Sequence, residues 1–119
     1  MEYLNYILLA LAVFFLIQRL APTKGVRQMT TDELKKELND KNKQYIDVRT
    51  PGEYRTRNIR GFKNIPLNQL ANRADQLSKE KEVIVICQSG MRSSKASRIL
   101  KKKGFRQVTN VKGGMSAWK

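Results

Sequence analysis

The chain has 119 residues, 40% of them hydrophobic and 29% charged, which is enough for one globular domain and a short appendage. One cysteine and no histidine exclude an intramolecular disulfide, histidine-based acid–base catalysis and every histidine-ligated metal site. The net charge of +14 indicates an anionic partner, a membrane surface or simply a soluble basic surface.

The first twenty residues form a separate apolar segment. Twelve apolar residues run without interruption over 6–17, and a helix over 3–20 would be ~27 Å long. Lysine and arginine are absent before this run, whereas Arg19, Lys24 and Arg27 follow it. The charges therefore predict an uncleaved transmembrane anchor over 1–21, with the N-terminus outside and the rest of the chain in the cytoplasm. A cleaved signal peptide and an amphipathic or packed helix are the alternatives. A linker is expected over 22–28.

Strand and helix patterns alternate along the expected domain, residues 29–119. Thr30 and Glu33 have the spacing of a capping box, as do Thr50 and Glu53, where Pro51 takes the first helical position. The further predicted elements are a strand at 45–48, an extended piece at 62–65, a helix from 66, a strand at 83–86, a helix at 93–103, a strand at 108–111 and a terminal helix from 113. This alternation predicts an α/β sandwich with a mainly parallel sheet.

Cys87 comes directly after the buried strand and is the candidate nucleophile. The residues that follow it are Gln88-Ser89-Gly90-Met91-Arg92, and a helix begins about Ser93. A loop that enters a helix N-terminus directs backbone N–H groups inward, and this field, with Arg92 and Lys95, stabilises a thiolate. Gly90 permits a positive φ where the loop curls. The alternative is that Cys87 is only a small buried hydrophobe; the polar loop closed by arginine favours a nucleophile.

The segment Cys87-Gln88-Ser89-Gly90-Met91-Arg92-Ser93 resembles the active-site loop of single-domain rhodaneses, which are sulfurtransferases. Residues 46–54, 64–67 and 104–118 are similar to further blocks of that family, in the same order and spacing. The resemblance covers nearly all of 29–119 and implies a rhodanese-like three-layer sandwich. The chain departs from the family at Arg57-Asn58-Ile59, where Gly-His-Ile is frequent, and at Phe62.

The resemblance implies a double-displacement reaction. The Cys87 thiolate would take a sulfur atom from a small anionic donor such as thiosulfate and become a persulfide. Backbone N–H groups of the binding loop, residues 88–92, would stabilise the persulfide charge. Cyanide or a cellular thiol would then accept the sulfur. Neither a metal nor an organic cofactor is expected.

Several neighbouring side chains have two possible roles. Arg92 would either bind the anionic end of the donor or brace the loop through backbone carbonyls, and bracing is preferred. Ser93 would donate a hydroxyl to the same anion or cap the helix. Lys95 is either a donor contact or part of a solvated helix face. Asp47 and Arg49 end another strand at the same sheet edge, and Asp47 is expected to accept hydrogen bonds from loop amides.

Two other functions compete with sulfur transfer. Phosphatases that share this fold have one residue more between cysteine and arginine than the four found here, so phosphate or arsenate chemistry ranks lower. A membrane-tethered interaction module without catalysis is the other alternative, but it has no need of an intact Cys87 and Arg92. A nucleic-acid partner is not expected, since the sequence has no recognised nucleic-acid-binding motif.

Overall fold

The computed structural model describes residues 2–20 and 25–119, apart from the side chains of 18–20. The first element is helix α1, Glu2–Leu20, whose large apolar side chains from Tyr3 to Ile17 are exposed. Within the two described ranges, no helix is both long and apolar enough to cross a bilayer. The prediction of a transmembrane anchor over 1–21 is therefore not supported, although its helix forms. The localisation deduced from it stays a prediction. Residue 21 of the predicted anchor and residues 22–24 of the predicted linker lie outside the described ranges.

The sheet confirms the predicted α/β fold. Its five strands are β1 (Val26–Met29), β2 (Gln44–Asp47), β3 (Lys63–Asn64), β4 (Val83–Ile86) and β5 (Val108–Val111). They lie in the order β1-β5-β4-β2-β3, and every neighbouring pair is parallel. Residues 26–28, which were expected in the linker, belong instead to the edge strand β1. The register pairs Val26 with Val108. Because these two residues are far apart in the sequence, no local pattern predicts that they pair.

The helices begin within two residues of their predicted starts. They are α2 (Thr31–Glu37), α3 (Pro51–Thr56), α4 (Leu67–Arg73) with a 3-10 turn at Ala74–Gln76, α5 (Met91–Lys102) and α6 (Gly114–Ala117). Both predicted capping boxes form, Thr30 with Glu33 and Thr50 with Glu53. Helix α5 starts two residues before the predicted Ser93, because Gly90 takes φ +105° at the N-cap.

Helices cover the sheet on both faces. Val83, Val85 and Cys87 belong to the core cluster under α4 and α5, whereas Ile84 and Ile86 belong to the cluster under α2, α3 and α6. All five side chains are fully buried, and burying a valine or isoleucine side chain contributes ~1.5–3 kcal/mol. Strand β4 is thus the buried centre of a three-layer sandwich, and it holds Cys87 at its carboxyl end.

Candidate active site

The Cys87 sulfur lies within the turn that leads from β4 to α5. The backbone N–H of Gly90 donates to Sγ at 2.9 Å. The thiol donates to Ser93 Oγ at 3.3 Å, and this hydroxyl donates in turn to the Gly90 carbonyl at 3.1 Å. Ser93 lies inside α5, so it is not the helix cap that the sequence offered as one of its roles. Cys87 is completely buried, so a donor can reach Sγ only after a local rearrangement.

The carbonyls of the same loop are held by the C-terminal helix. Met115 N–H donates to the Cys87 carbonyl at 2.8 Å, and Ser116 N–H donates to the Gln88 carbonyl at 2.9 Å. Gly114 precedes these donors at φ +56°, and a Cβ added there would overlap the Cys87 carbonyl and approach the Gln88 carbonyl to 2.9 Å. Glycine is therefore required at residue 114, which the sequence had placed only at the start of the terminal helix.

Arg92 braces the loop through a carboxylate rather than through the backbone carbonyls that were predicted. Its Nη1 and Nη2 donate to the two carboxylate oxygens of Glu53 at 2.6 and 2.9 Å. The hydrogen bonds between Arg92 and Glu53 lower the pKa of Glu53 to about 2, and the same hydrogen bonds raise the pKa of Arg92. The charge of Arg92 is thus already matched inside the protein.

Asp47 and Arg49 form a buried ion pair at the end of β2. Arg49 Nη2 lies 2.8 Å from Asp47 Oδ2, and the Arg49 backbone N–H donates to Oδ1 at 3.0 Å. The guanidinium also donates to the Arg57 carbonyl at 2.6 Å and to Gln88 Oε1 at 3.5 Å. Asp47 thus accepts from a backbone amide, as the sequence predicted, but the Arg49 guanidinium is its main partner. The pair connects β2 to the catalytic loop through Gln88 and makes no hydrogen bond to the sulfur.

Two open grooves flank the Arg92–Glu53 pair. One, of about 310 Å³, is the Arg57 groove and is lined by Arg57, Glu53, Gln88 and Met115 among others. The second, of about 390 Å³, is the Lys95 groove and is lined by Lys95, Arg92, Val48, Pro66, Leu67 and Ile99 among others. Both volumes suit a small ligand. Each groove is lined by two cations, one of which is paired with a carboxylate: Arg49 in the Arg57 groove and Arg92 in the Lys95 groove.

Sequence reasoning missed Glu53 and Arg57 as members of the site. Glu53 also caps α3 by accepting from the Thr50 backbone N–H at 3.1 Å, and this local role accounted for its presence in the sequence. Arg57 donates to the Trp118 carbonyl at 2.7 Å. The sequence signal for Arg57 was that Arg57-Asn58-Ile59 stands where the resembled family frequently has Gly-His-Ile.

Comparisons with known proteins agree with this geometry. A model of the rhodanese-like domain matches residues 30–119. The chain belongs to the rhodanese-like family. It is 33% identical to the uncharacterized protein YqhL of Bacillus subtilis, over 96% of this chain and 92% of that protein. It is 30% identical to a sulfurtransferase of Allochromatium vinosum, over 78% of this chain and 88% of the relative.

A solved structure matches the same part of the fold. The rhodanese-like domain protein of Staphylococcus aureus is 35% identical and superposes with a TM-score of 0.73, over 78% of this chain and 91% of the other. The predicted family and its parallel α/β architecture are therefore confirmed.

Proposed function

We propose that this rhodanese-like protein transfers a sulfane sulfur from thiosulfate or a persulfide donor to a thiophilic acceptor, through a persulfide on Cys87. The observation that carries the proposal is the hydrogen bond from the Gly90 amide to Sγ at 2.9 Å. It places a backbone donor and the N-terminus of α5 beside the only cysteine of the chain. Family membership and a relative named as a sulfurtransferase support the same conclusion.

The first half-reaction is a displacement at sulfur. The Cys87 thiolate attacks the outer sulfur of thiosulfate and forms a new S–S bond, while the S–S bond of thiosulfate breaks. The bonding electrons leave with sulfite, and Cys87 retains the outer sulfur as a persulfide anion. Backbone N–H groups of residues 88–92 stabilise the charge that moves onto this sulfur.

The cations around the loop have different roles. Arg92 is a positioning residue, since its guanidinium is paired with Glu53 in a bidentate arrangement. Arg57 and Lys95 are both exposed, and within the described residues neither has an acidic partner within 4 Å. They are the better candidates to attract the anionic end of a donor in their respective grooves.

The competing functions fit the site less well. A phosphatase would have to place a tetrahedral phosphate in a loop with only four residues between Cys87 and Arg92. A binding module alone has no need of an amide directed at a cysteine sulfur. Sulfur transfer uses both features.

Intact-mass measurement tests the proposal. The full chain and a Cys87→Ser control are each incubated with thiosulfate, and in parallel with a persulfide donor. We expect a gain of one sulfur atom in the wild type, reversed by cyanide and missing in the control. A folded wild type that gains no sulfur from either donor would refute sulfur transfer. Turnover of a phosphoester or arsenate would then establish the alternative enzyme class.

A further inference from the structure

Residues 83–119 carry nine lysines and arginines and no aspartate or glutamate. Helices α4 and α5, which cover one face of the sheet, contain no acidic residue either. The helix α2 on the opposite face carries Asp32, Glu33 and Glu37. Helix α2 also carries Lys35 and Lys36, so its charges nearly balance. Among the helices of the domain, the excess positive charge therefore lies on α4 and α5, on the face that Cys87 joins.

Four exposed side chains form a single row along α5. They are Met91, Lys95, Arg98 and Lys102, and we call them the α5 stripe. Their spacing of four, three and four residues places them on one face of a helix that has ~3.6 residues per turn. The row starts in the catalytic loop and extends ~16 Å away from it, at ~1.5 Å per residue.

Among the described residues, the cations of the α5 stripe have no acidic partner. Lys95, Arg98 and Lys102 are not found within 4 Å of any carboxylate in the described part of the chain. Arg92 on the same helix is paired with Glu53, and Arg106 beyond the helix is paired with Glu80. Lys101, which lies outside the stripe, donates to the backbone carbonyls of Phe105 and Arg106. The stripe thus holds the exposed cations of α5 that no carboxylate neutralises.

Met91 makes the stripe more than a charged surface. It is 81% exposed, and within residues 25–119 it is the only large hydrophobic side chain on the surface that is mostly open to solvent. Methionine adapts its shape to varied partners and is frequent at protein-binding surfaces. The half-buried Leu67 and Ile99 in the adjacent Lys95 groove extend this apolar area. An exposed apolar anchor followed by free cations matches a protein partner with an apolar centre and an acidic rim.

We propose that the α5 stripe docks an acidic protein whose cysteine accepts the sulfur from Cys87. The proposal rests on the proposed sulfur transfer and names the class of its acceptor. The acceptor thiol attacks the outer sulfur of the Cys87 persulfide anion, and a new S–S bond forms as the old one breaks. The thiol proton ends on the transferred sulfur, and Cys87 leaves as a thiolate. No external oxidant or reductant is consumed.

An acidic protein fits the stripe better than a nucleic acid. Sequence-tolerant binding of single-stranded nucleic acid uses aromatic side chains on which bases stack, and binding to a duplex backbone is electrostatic and makes no use of an exposed apolar side chain such as Met91. Helices α4 and α5 contain no aromatic residue. The exposed side chain at the start of the stripe is aliphatic.

The experiment compares two acceptor peptides on the full chain. Both contain one cysteine beside a leucine; one has four glutamates and the other has four glutamines in their place. Cys87 is first loaded with sulfur, and kcat/KM is then measured for each peptide and for cyanide at low and high salt. The test variant is Arg98→Glu with Lys102→Glu. The control is Lys36→Glu with Lys41→Glu, two exposed lysines on other parts of the domain that change the net charge equally.

We expect the wild type and the control to prefer the glutamate peptide on the order of ten-fold at low salt, because complementary charge accelerates encounter. The preference should fall at high salt, where the Debye length shortens. The test variant should lose it while its rate with cyanide stays unchanged. Equal kcat/KM for both peptides in the wild type would overturn the proposal. The proposal would also be overturned if the wild type showed no peptide preference but bound a fluorescent RNA tightly, and the test variant lost that RNA binding. Failure to load Cys87 at all would instead refute the proposed function.

Discussion

A single methyl group at Gly114 tests how the catalytic loop is held. In Gly114→Ala the new Cβ would overlap the Cys87 carbonyl, and the backbone would have to keep a φ of +56°. An L-residue at such a φ costs about 1–2 kcal/mol, and overpacking costs about 1–3 kcal/mol more. We therefore expect a loss of about 3 kcal/mol in the free energy of unfolding. For a domain of this size that is a fall in Tm of roughly 12–24 °C.

Two other glycines separate the contributions. Gly61 has φ +101° but nothing within 4 Å of an added Cβ, so Gly61→Ala should show the conformational cost alone. Gly52 lies in α3 with neither a positive φ nor a close neighbour. Gly52→Ala should therefore be neutral or stabilising by about 0.5 kcal/mol.

The assay combines urea unfolding with the rate of sulfur loading from thiosulfate. Because the clash falls on the carbonyls of Cys87 and Gln88, Gly114→Ala should also slow loading on the order of 100-fold, as expected when a reacting atom is displaced by about 1 Å. Gly61→Ala should load at the wild-type rate. A Gly114→Ala protein that loses no more stability than Gly61→Ala and loads normally would refute the packing argument.

Three further predictions concern charge and capping. Asp47→Asn leaves the Arg49 guanidinium buried without its counterion, so unfolding in urea should show a loss of about 3–5 kcal/mol; a loss below about 1 kcal/mol would contradict a buried pair. Glu53→Gln removes the ion pair with Arg92, which is about one-third exposed and is therefore expected to contribute only about 1 kcal/mol. Since the folded pKa of Glu53 is lowered from 4.5 to about 2, this contribution should be complete above pH 4.5 and disappear as the pH falls to 2. Urea titrations of both proteins across that range check the sign, and a difference that grows towards acid would contradict it. Thr30→Ala removes one capping box, for which thermal unfolding should report about 1 kcal/mol; no change would show that the cap is dispensable.

The features that the sequence predicted are those set by neighbouring residues. Both capping boxes depend on residues three positions apart, and the buried β4 is visible as four consecutive β-branched side chains. The positive φ of Gly90 follows from a loop that must curl into a helix. In each case the interaction that stabilises the structure lies within one turn or one strand.

The features that were missed depend on residues distant along the chain. Glu53 meets Arg92 across 39 positions, and the Gly114 segment meets the catalytic loop through backbone groups that carry no sequence signal. The environment of α1 could not be predicted from the sequence either, because an apolar run of intermediate length is compatible with several environments. The local sequence pattern therefore identified the nucleophile, whereas the residues that hold its loop in place could be identified only from the fold.

The position of β1 has a consequence for any shortened form of the protein. The family match begins at residue 30, just after this strand, so a truncation made at that boundary would remove it. β5 is buried throughout while β1 pairs with it, and Arg27 and Gln28 of β1 are exposed. Without β1, the row of unpaired amides and carbonyls on β5 would become a template for strand addition by another molecule. A chain cut at residue 30 should therefore self-associate, whereas one that starts at Gly25 keeps a charged edge that resists aggregation.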